Sequence, residues 1–274
     1  YVKETIQSII DQIYENIELI IIDDGSRDNS VEVIKEMIPA CENRFVRFEF
    51  RSRANRGLCA TLNEALDWCE GEYYSPTASD DILKNNKISR QVDLLIEKKP
   101  SGVVGVFAGI EVIDKDKSII KKRGKIQEFG FRDVFLRKAF IPGQAVMLVR
   151  DKLIEVGGYN PDLKVEDLYL FLKISNSGAR FFSTNEVLLS YRKHDDNLSS
   201  KSEVMWQSIS EILSEYEGNP MFNQAVTCSM LIHAHDHQVE SKILSLKWAI
   251  KAVRNYPFGV FSKSFIWLIV KMFR

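Results

Sequence analysis

Two acidic turns each close a strand-like run: Asp23-Asp24-Gly25-Ser26 after residues 17–22, and Ser79-Asp80-Asp81 after residues 72–77. A third acidic pair, Glu166-Asp167, opens an apolar stretch (Leu168, Phe171, Leu172, Ile174) after the loop Gly157-Gly158-Tyr159-Asn160-Pro161. Carboxylates in such places can do three kinds of chemistry. Behind a tight glycine turn, Asp24 can accept a hydrogen bond from a base N–H such as that of uracil. Asp81 can hold Mg²⁺ or Mn²⁺, hard cations taken up by one or two carboxylates plus substrate phosphates. The pair 166–167 can present a general base at a pocket rim. Each also has a plainer reading: an ordinary Asp-Gly turn, a helix N-cap, or acids placed favourably at a helix N-terminus. The first two turns strengthen each other, because ligands of α/β sheets bind outside the carboxyl ends of the strands.

The elements that must carry these groups alternate. Ile6, Ile9, Ile10 and Ile13 predict an amphipathic helix over 3–14. The apolar run 17–22 predicts a strand buried on both faces. A helix capped by Asn29 or Ser30 is expected to stop at Pro39. Residues 45–50 are β-like, and Leu58, Leu62, Ala65, Leu66 and Cys69 mark a helix ending at Gly71 as its C′ glycine. Ile88, Val92, Leu95 and Ile96 mark another. This rhythm implies a mainly parallel sheet with helices on both faces. A strand pair over 103–113 and 119–126, strands over 146–149 and 187–191, and a helix near 166–176 should follow. After about 202 only helical periodicity remains, giving two regions, 1–200 and 201–274.

With 274 residues, 45% hydrophobic and a net charge of −1, the chain can build one sizeable core plus an appendage. The neutral balance argues against nucleic acid as a partner. Four scattered cysteines and the lack of a signal-peptide pattern favour a reducing, cytoplasmic setting. There is no Gly-x-Gly-x-x-Gly and no Walker-type Gly-Lys-Ser/Thr, which counts against dinucleotide-binding and P-loop proteins.

Taken in order, the segments resemble a family-2 inverting glycosyltransferase of the GT-A fold, of the kind that builds bacterial surface polysaccharides. The resemblance runs from residue 1 to about 199. Its pieces are Ile20-Ile21-Ile22-Asp23-Asp24-Gly25-Ser26-Arg27-Asp28-Asn29-Ser30, Asn55-Arg56-Gly57-Leu58, Asn63-Glu64-Ala65 and Gly71-Glu72-Tyr73-Tyr74, followed by Ser79-Asp80-Asp81, Gly157-Gly158-Tyr159, Glu166-Asp167 and Tyr191-Arg192-Lys193-His194. The resemblance implies that Asp24, with Asp23, Gly25 and Ser26 around it, binds the base of a nucleotide-sugar, UDP being the expected nucleotide. It implies that Asn55, Arg56 and Gly57 form a loop near the nucleotide, that Asp80 holds the ribose or diphosphate region, and that Asp81 with Asp80 holds the metal. Asp167, with Glu166 beside it, resembles the catalytic base, and His194 sits where the family often has a histidine near the donor phosphates. Three departures stand out. The family's opening strand is missing before Tyr1, Ala78 replaces a further acid, and Lys173 replaces a common arginine. The implied mechanism is a single displacement in which Asp167 deprotonates an acceptor hydroxyl.

Two other readings compete: a sugar-phosphate nucleotidyltransferase and a non-catalytic binding module. The first lacks its usual N-terminal Gly-rich basic loop here, and the four aspartates argue against the second. The basic stretch Lys115, Lys117, Lys121, Lys122, Arg123 and Lys125 reads best as a solvated hairpin. His233-Ala234-His235-Asp236-His237 puts two histidines on one helical face, but no glutamate follows the first, as it does in a zinc protease. From Ser241 onward there is no Asp or Glu, while Lys242, Lys247, Lys251, Arg254, Lys263, Lys271 and Arg274 are basic and interleaved with aromatics. Such an amphipathic tail can lie in an anionic membrane interface, or it can pack back on the catalytic domain or on a second subunit; the first is the expected one. Peripheral attachment to the inner membrane, and a lipid-linked glycan as acceptor, are therefore expected.

Overall fold

The computed structural model describes residues 1–194, 202–238 and 241–272. The elements run α1 (Val2–Ile10), β1 (Glu18–Asp23), α2 (Ser30–Arg44), β2 (Arg47–Ser52), α3 (Leu58–Trp68), β3 (Tyr73–Tyr74), β4 (Ile82–Leu83) and α4 (Lys87–Lys98). They continue with β5 (Val103–Ile113), β6 (Ile119–Arg123), β7 (Gln127–Phe129), α5 (Phe131–Phe135), β8 (Val146–Val149), α6 (Arg150–Glu155), α7 (Glu166–Asn176) and β9 (Arg180–Arg192). Then come α8 (Ser202–Ser214), α9 (Phe222–Asp236), α10 (Lys242–Asn255) and α11 (Lys263–Met272). The expected change at 200–201 falls outside the described residues, as do Phe273 and Arg274.

The α/β class with flanking helices is as expected, but the sheet is mixed rather than mainly parallel. Strands β1 and β2 form a parallel pair of their own, and a seven-stranded sheet has the order β3-β8-β5-β9-β4, with β6 beside β5 and β7 beside β9. Only the β1–β2 and β5–β9 ladders are parallel among the described residues; the other five are antiparallel. The cause is local. After β5 the chain doubles back through the turn 114–118, where Asp114 Oδ1 accepts the N–H groups of Asp116 and Ser118. Strands joined by so short a turn can only pair antiparallel.

Alternation along the strands feeds two cores. Phe107, Val146, Leu148 and Phe181 pack against α5 and α7, while their neighbours Val106, Met147 and Phe182 pack against α4. Helix α8 buries Ile209, Ile212 and Leu213 in the first of these cores, and α9, α10 and α11 share a smaller one of their own. No described helix is long and apolar enough to cross a membrane.

Three further expectations change. Strand β1 is half-buried rather than covered on both faces, because it pairs with β2 alone. Pro39 lies inside α2, which runs on to Arg44. Ile34, Met37 and Cys41 bury the face on either side of it. The guanidinium of Arg44 then secures the end, donating to the carbonyls of Ile10, Gln12, Tyr14 and Glu15. Helix α3 stops at Trp68, and Gly71 is no left-handed cap. Instead Glu18 Oε1 accepts the N–H groups of Glu70 and Gly71 and turns the chain. Helix α1 is stitched to the segment from the second acidic turn to the start of α4. Thr5 donates to Asp81 O, Ser8 Oγ accepts the Leu83 N–H, and Gln12 bridges Lys84 O and the Ile88 N–H.

Candidate active site

The first acidic turn leaves β1 through Gly25, whose φ is +85°. A Cβ there would lie 2.9 Å from the Asn55 nitrogen, so both the turn and the close approach require glycine. Asp23 is buried; its Oδ1 accepts the Ser26 N–H and its Oδ2 the Ser52 hydroxyl. Asp24 gathers the 53–57 loop. It accepts the Arg56 N–H at 2.8 Å, the Gly57 N–H at 2.9 Å and the Arg53 guanidinium, while Asn55 Nδ2 donates to its carbonyl. Burial raises both carboxyls, but these donors outweigh it and hold them below their ordinary range. The six expected nucleotide residues from Asp23 to Ser26 and Asn55 to Arg56 are thus brought together with Gly57 at the N-terminus of α3.

The second turn is built differently. Asp81 is fully buried; its Oδ1 accepts the Arg192 N–H at 3.0 Å, and its Oδ2 is buried with no hydrogen-bond partner. Burial, reinforced by neighbouring Asp80, pushes its carboxyl up to about 7. Asp80 Oδ2 lies 2.8 Å from His194 Nε2. Arg192, at the end of β9, donates from Nε to Asp80 O and from Nη2 to Glu4, with its guanidinium over the Tyr1 ring. A buried carboxylate oxygen without a hydrogen-bond partner is what a hard cation would use, so Asp81 with Asp80 fits Mg²⁺ or Mn²⁺.

Glu166 and Asp167 open α7 and line, with Asp80, Asp81 and His194, one cavity of about 370 Å³. Leu58, Leu62, Gln144, Tyr159 and Tyr191 contribute to its wall. Desolvation, and then the Asp167 charge, pushes Glu166 up to about 7. Desolvation also raises Asp167, against the opposing charge of Arg137. Two neighbouring acids with raised affinity for protons are suited to proton abstraction near neutral pH. The first turn does not line this cavity; it joins it through Gly57-Leu58.

Three contributors were given no role from the sequence. Gly143 makes room for the base: a Cβ there would meet Asp167 Oδ2 at 2.5 Å. Arg137, in the left-handed region at φ 54°, supplies the nearby positive charge. Asn63 clamps the double-glycine loop, donating from Nδ2 to Tyr159 O at 2.7 Å and accepting the Tyr159 N–H at 2.8 Å. The sequence marked Asn63 only as part of a resembling segment, and nothing there singled out Gly143 or Arg137.

Comparison with known proteins bears on the family and the fold. The family description "Glycosyl transferase family 2" matches residues 1–157. An uncharacterized glycosyltransferase of Rickettsia conorii is 28% identical over 79% of this chain, which spans 37% of that relative's length. A Bacillus subtilis protein, provisionally described as the teichuronic acid biosynthesis glycosyltransferase TuaG, is 25% identical over 73% of this chain and 77% of its own. Among solved structures, S. aureus TarS 1-349 in complex with UDP-GlcNAc superposes with a TM-score of 0.68 at 14% identity, covering 99% of this chain and 84% of that one. The mannosyltransferase PcManGT from Pyrobaculum calidifontis, in complex with GDP-Man and Mn²⁺, gives 0.60 at 15% identity, covering 98% and 79%. At these identities the structures establish a shared fold.

Proposed function

The chain belongs to glycosyl transferase family 2, and from that premise we propose that it is an inverting, metal-dependent transferase of a sugar from a UDP-sugar to an acceptor hydroxyl. The observation that carries this reading is the single cavity lined by Asp81, with its unpartnered carboxylate oxygen, and by the proton-hungry pair Glu166-Asp167. Asp167 takes the proton of the acceptor hydroxyl, and the freed oxygen attacks the anomeric carbon from the face opposite the leaving diphosphate. Arg137 steadies the charge on Asp167, and His194 and Asp80 lie where the diphosphate passes. Asp81 and Asp80 would hold Mg²⁺ or Mn²⁺, which when bound offsets charge on the departing nucleotide. The turn 23–26 and the loop 55–57 receive the nucleoside.

The acceptor we favour is a lipid-linked glycan of a bacterial surface polysaccharide. The name of TuaG supports a polysaccharide product. The tail supports a membrane setting, on the cytoplasmic face. Trp248, Phe265 and Leu268 pack on α9, but Ile243, Leu246 and Ile250 on α10, Phe258 and Phe261 between the helices, and Ile266, Trp267 and Val270 on α11 stay exposed among the lysines.

Turnover with a panel of nucleotide-sugars, with and without EDTA, tests the reading. Asp167→Asn should lower the rate by ~10²–10⁴-fold, the usual worth of a general base, with UDP binding retained. A near-wild-type rate in Asp167→Asn alongside an inactive Glu166→Gln would move the base to Glu166. No turnover with any donor would overturn the proposal.

A further inference from the structure

Away from the cavity, three ligand-type atoms converge between α8 and α9. His233 and His237 are four residues apart on α9 and share one face. Their Nε2 atoms are 3.2 Å apart. Glu203, in the first turn of α8, brings Oε1 to 3.5 Å from His237 Nε2 and 3.7 Å from His233 Nε2. The Ser202 hydroxyl adds a fourth polar atom, 3.3 Å from His237 Nε2. An imidazole nitrogen offers a single proton or a single lone pair. One Nε2–H can serve only one of these close neighbours, and the facing lone pairs that remain suit a shared cation.

We propose that Glu203, His233 and His237 form a zinc-type metal site that fastens α8 to α9. The triangle of these three atoms has a circumradius of about 2.0 Å, against Zn–N and Zn–O bonds of ~2.0–2.2 Å. An ion near its centre therefore lies within bonding distance of all three ligand atoms. Two neutral imidazoles and one carboxylate form the donor set that suits Zn²⁺, whereas Mg²⁺ prefers oxygen ligands and retained water. The surroundings fit as well. Both histidines are buried, with the ring of His233 against Trp206 and Trp248. Glu203 is largely exposed, which leaves an entry path for the ion. The fourth position falls to the Ser202 hydroxyl or to water. The consequence is mechanical. Helix α8 packs its other side on the catalytic core through Ile209, Ile212 and Leu213, so the ion ties the C-terminal helices to that core. The site shares no ligand with the Asp80-Asp81 turn.

Titration calorimetry of the full chain, stripped of metal and given ZnCl₂, tests this directly. One equivalent of Zn²⁺ should bind and raise the melting temperature. His233→Ala and His237→Gln should each weaken binding by at least ~100-fold, the upper end of the loss seen when mere outer-shell partners are removed. Asp81→Ala should leave it unchanged, which separates this site from the cavity. Co²⁺ should give visible bands that His237→Gln abolishes. Failure of the wild-type chain to bind Zn²⁺ would overturn the proposal whatever the variants do. So would equal affinity in folded His233→Ala and His237→Gln, with folding checked by circular dichroism.

Discussion

Asp81 and Asp24 carry the same functional group in opposite states. Asp24 is saturated with donors and stays ionised; Asp81 has one backbone donor and an orphan oxygen, and keeps its proton up to about 7. In the unfolded chain Asp81 releases that proton near its ordinary value of 3.8. Between those values the folded state binds more protons than the unfolded state, so metal-free stability falls as pH rises through the window and stays low above it. Asp81→Asn removes the charge that burial disfavours. In EDTA above pH 7 it should be more stable than wild type by ~1–3 kcal/mol, the scale of an unsatisfied buried polar group, and the gap should close toward acid pH. Thermal melts across pH check this; an unchanged pH slope would show that Asp81 is not the group responsible. Mn²⁺ should then stabilise the wild type and not the variant. The acids themselves were legible in the sequence because a turn after a strand and an acid at a helix start leave marks in one dimension. Their protonation was not, since it depends on burial, opposed by Arg192 and Arg137, and only the fold creates either.

At the scale of elements, the site depends on how three loops are held against strand ends and helix starts. The turn 143–145 is the tightest fit, because Gly143 leaves space for Asp167 and nothing larger fits there. Gly143→Ala should push the carboxylate aside and lower turnover by ~10²-fold, as expected for a misplacement of about an ångström. UDP affinity and the melting temperature should change little, as steady-state kinetics and calorimetry on one preparation would show. A wild-type rate would mean that the Asp167 position seen here is not the working one. Helix bounds were well marked in the sequence where opening acids and periodicity agreed, as for α7. They were misread at Pro39 and Gly71, where tertiary partners, Arg44 and Glu18, overrode local preference. The mixed pairing was hidden for a similar reason: a buried parallel strand and a buried antiparallel one show the same apolar run.

For the whole molecule, charge is unevenly spread. The seven basic residues from 241 onward leave a net −8 on the rest of a chain whose total is −1. Each basic side chain near an anionic bilayer contributes about 1 kcal/mol, and the exposed Phe258, Phe261 and Trp267 would add insertion that salt does not screen. The intact chain should therefore sediment with anionic vesicles, less so in high salt, and a chain ending before 241 should not. Equal sedimentation of the shortened chain would make the tail purely structural. The separate β1–β2 pair has a consequence of another kind. Among the described residues it shares no hydrogen-bond ladder with the seven-stranded sheet, and α1, which packs on α2, β1 and β2, also carries hydrogen bonds to the second acidic turn. Amide exchange should then run on two clocks, with β1 and β2 opening at a lower free energy than β5 and β9. A nucleotide-sugar spanning both turns would add to the link that α1 already makes between these cooperative units, drawing the two clocks together.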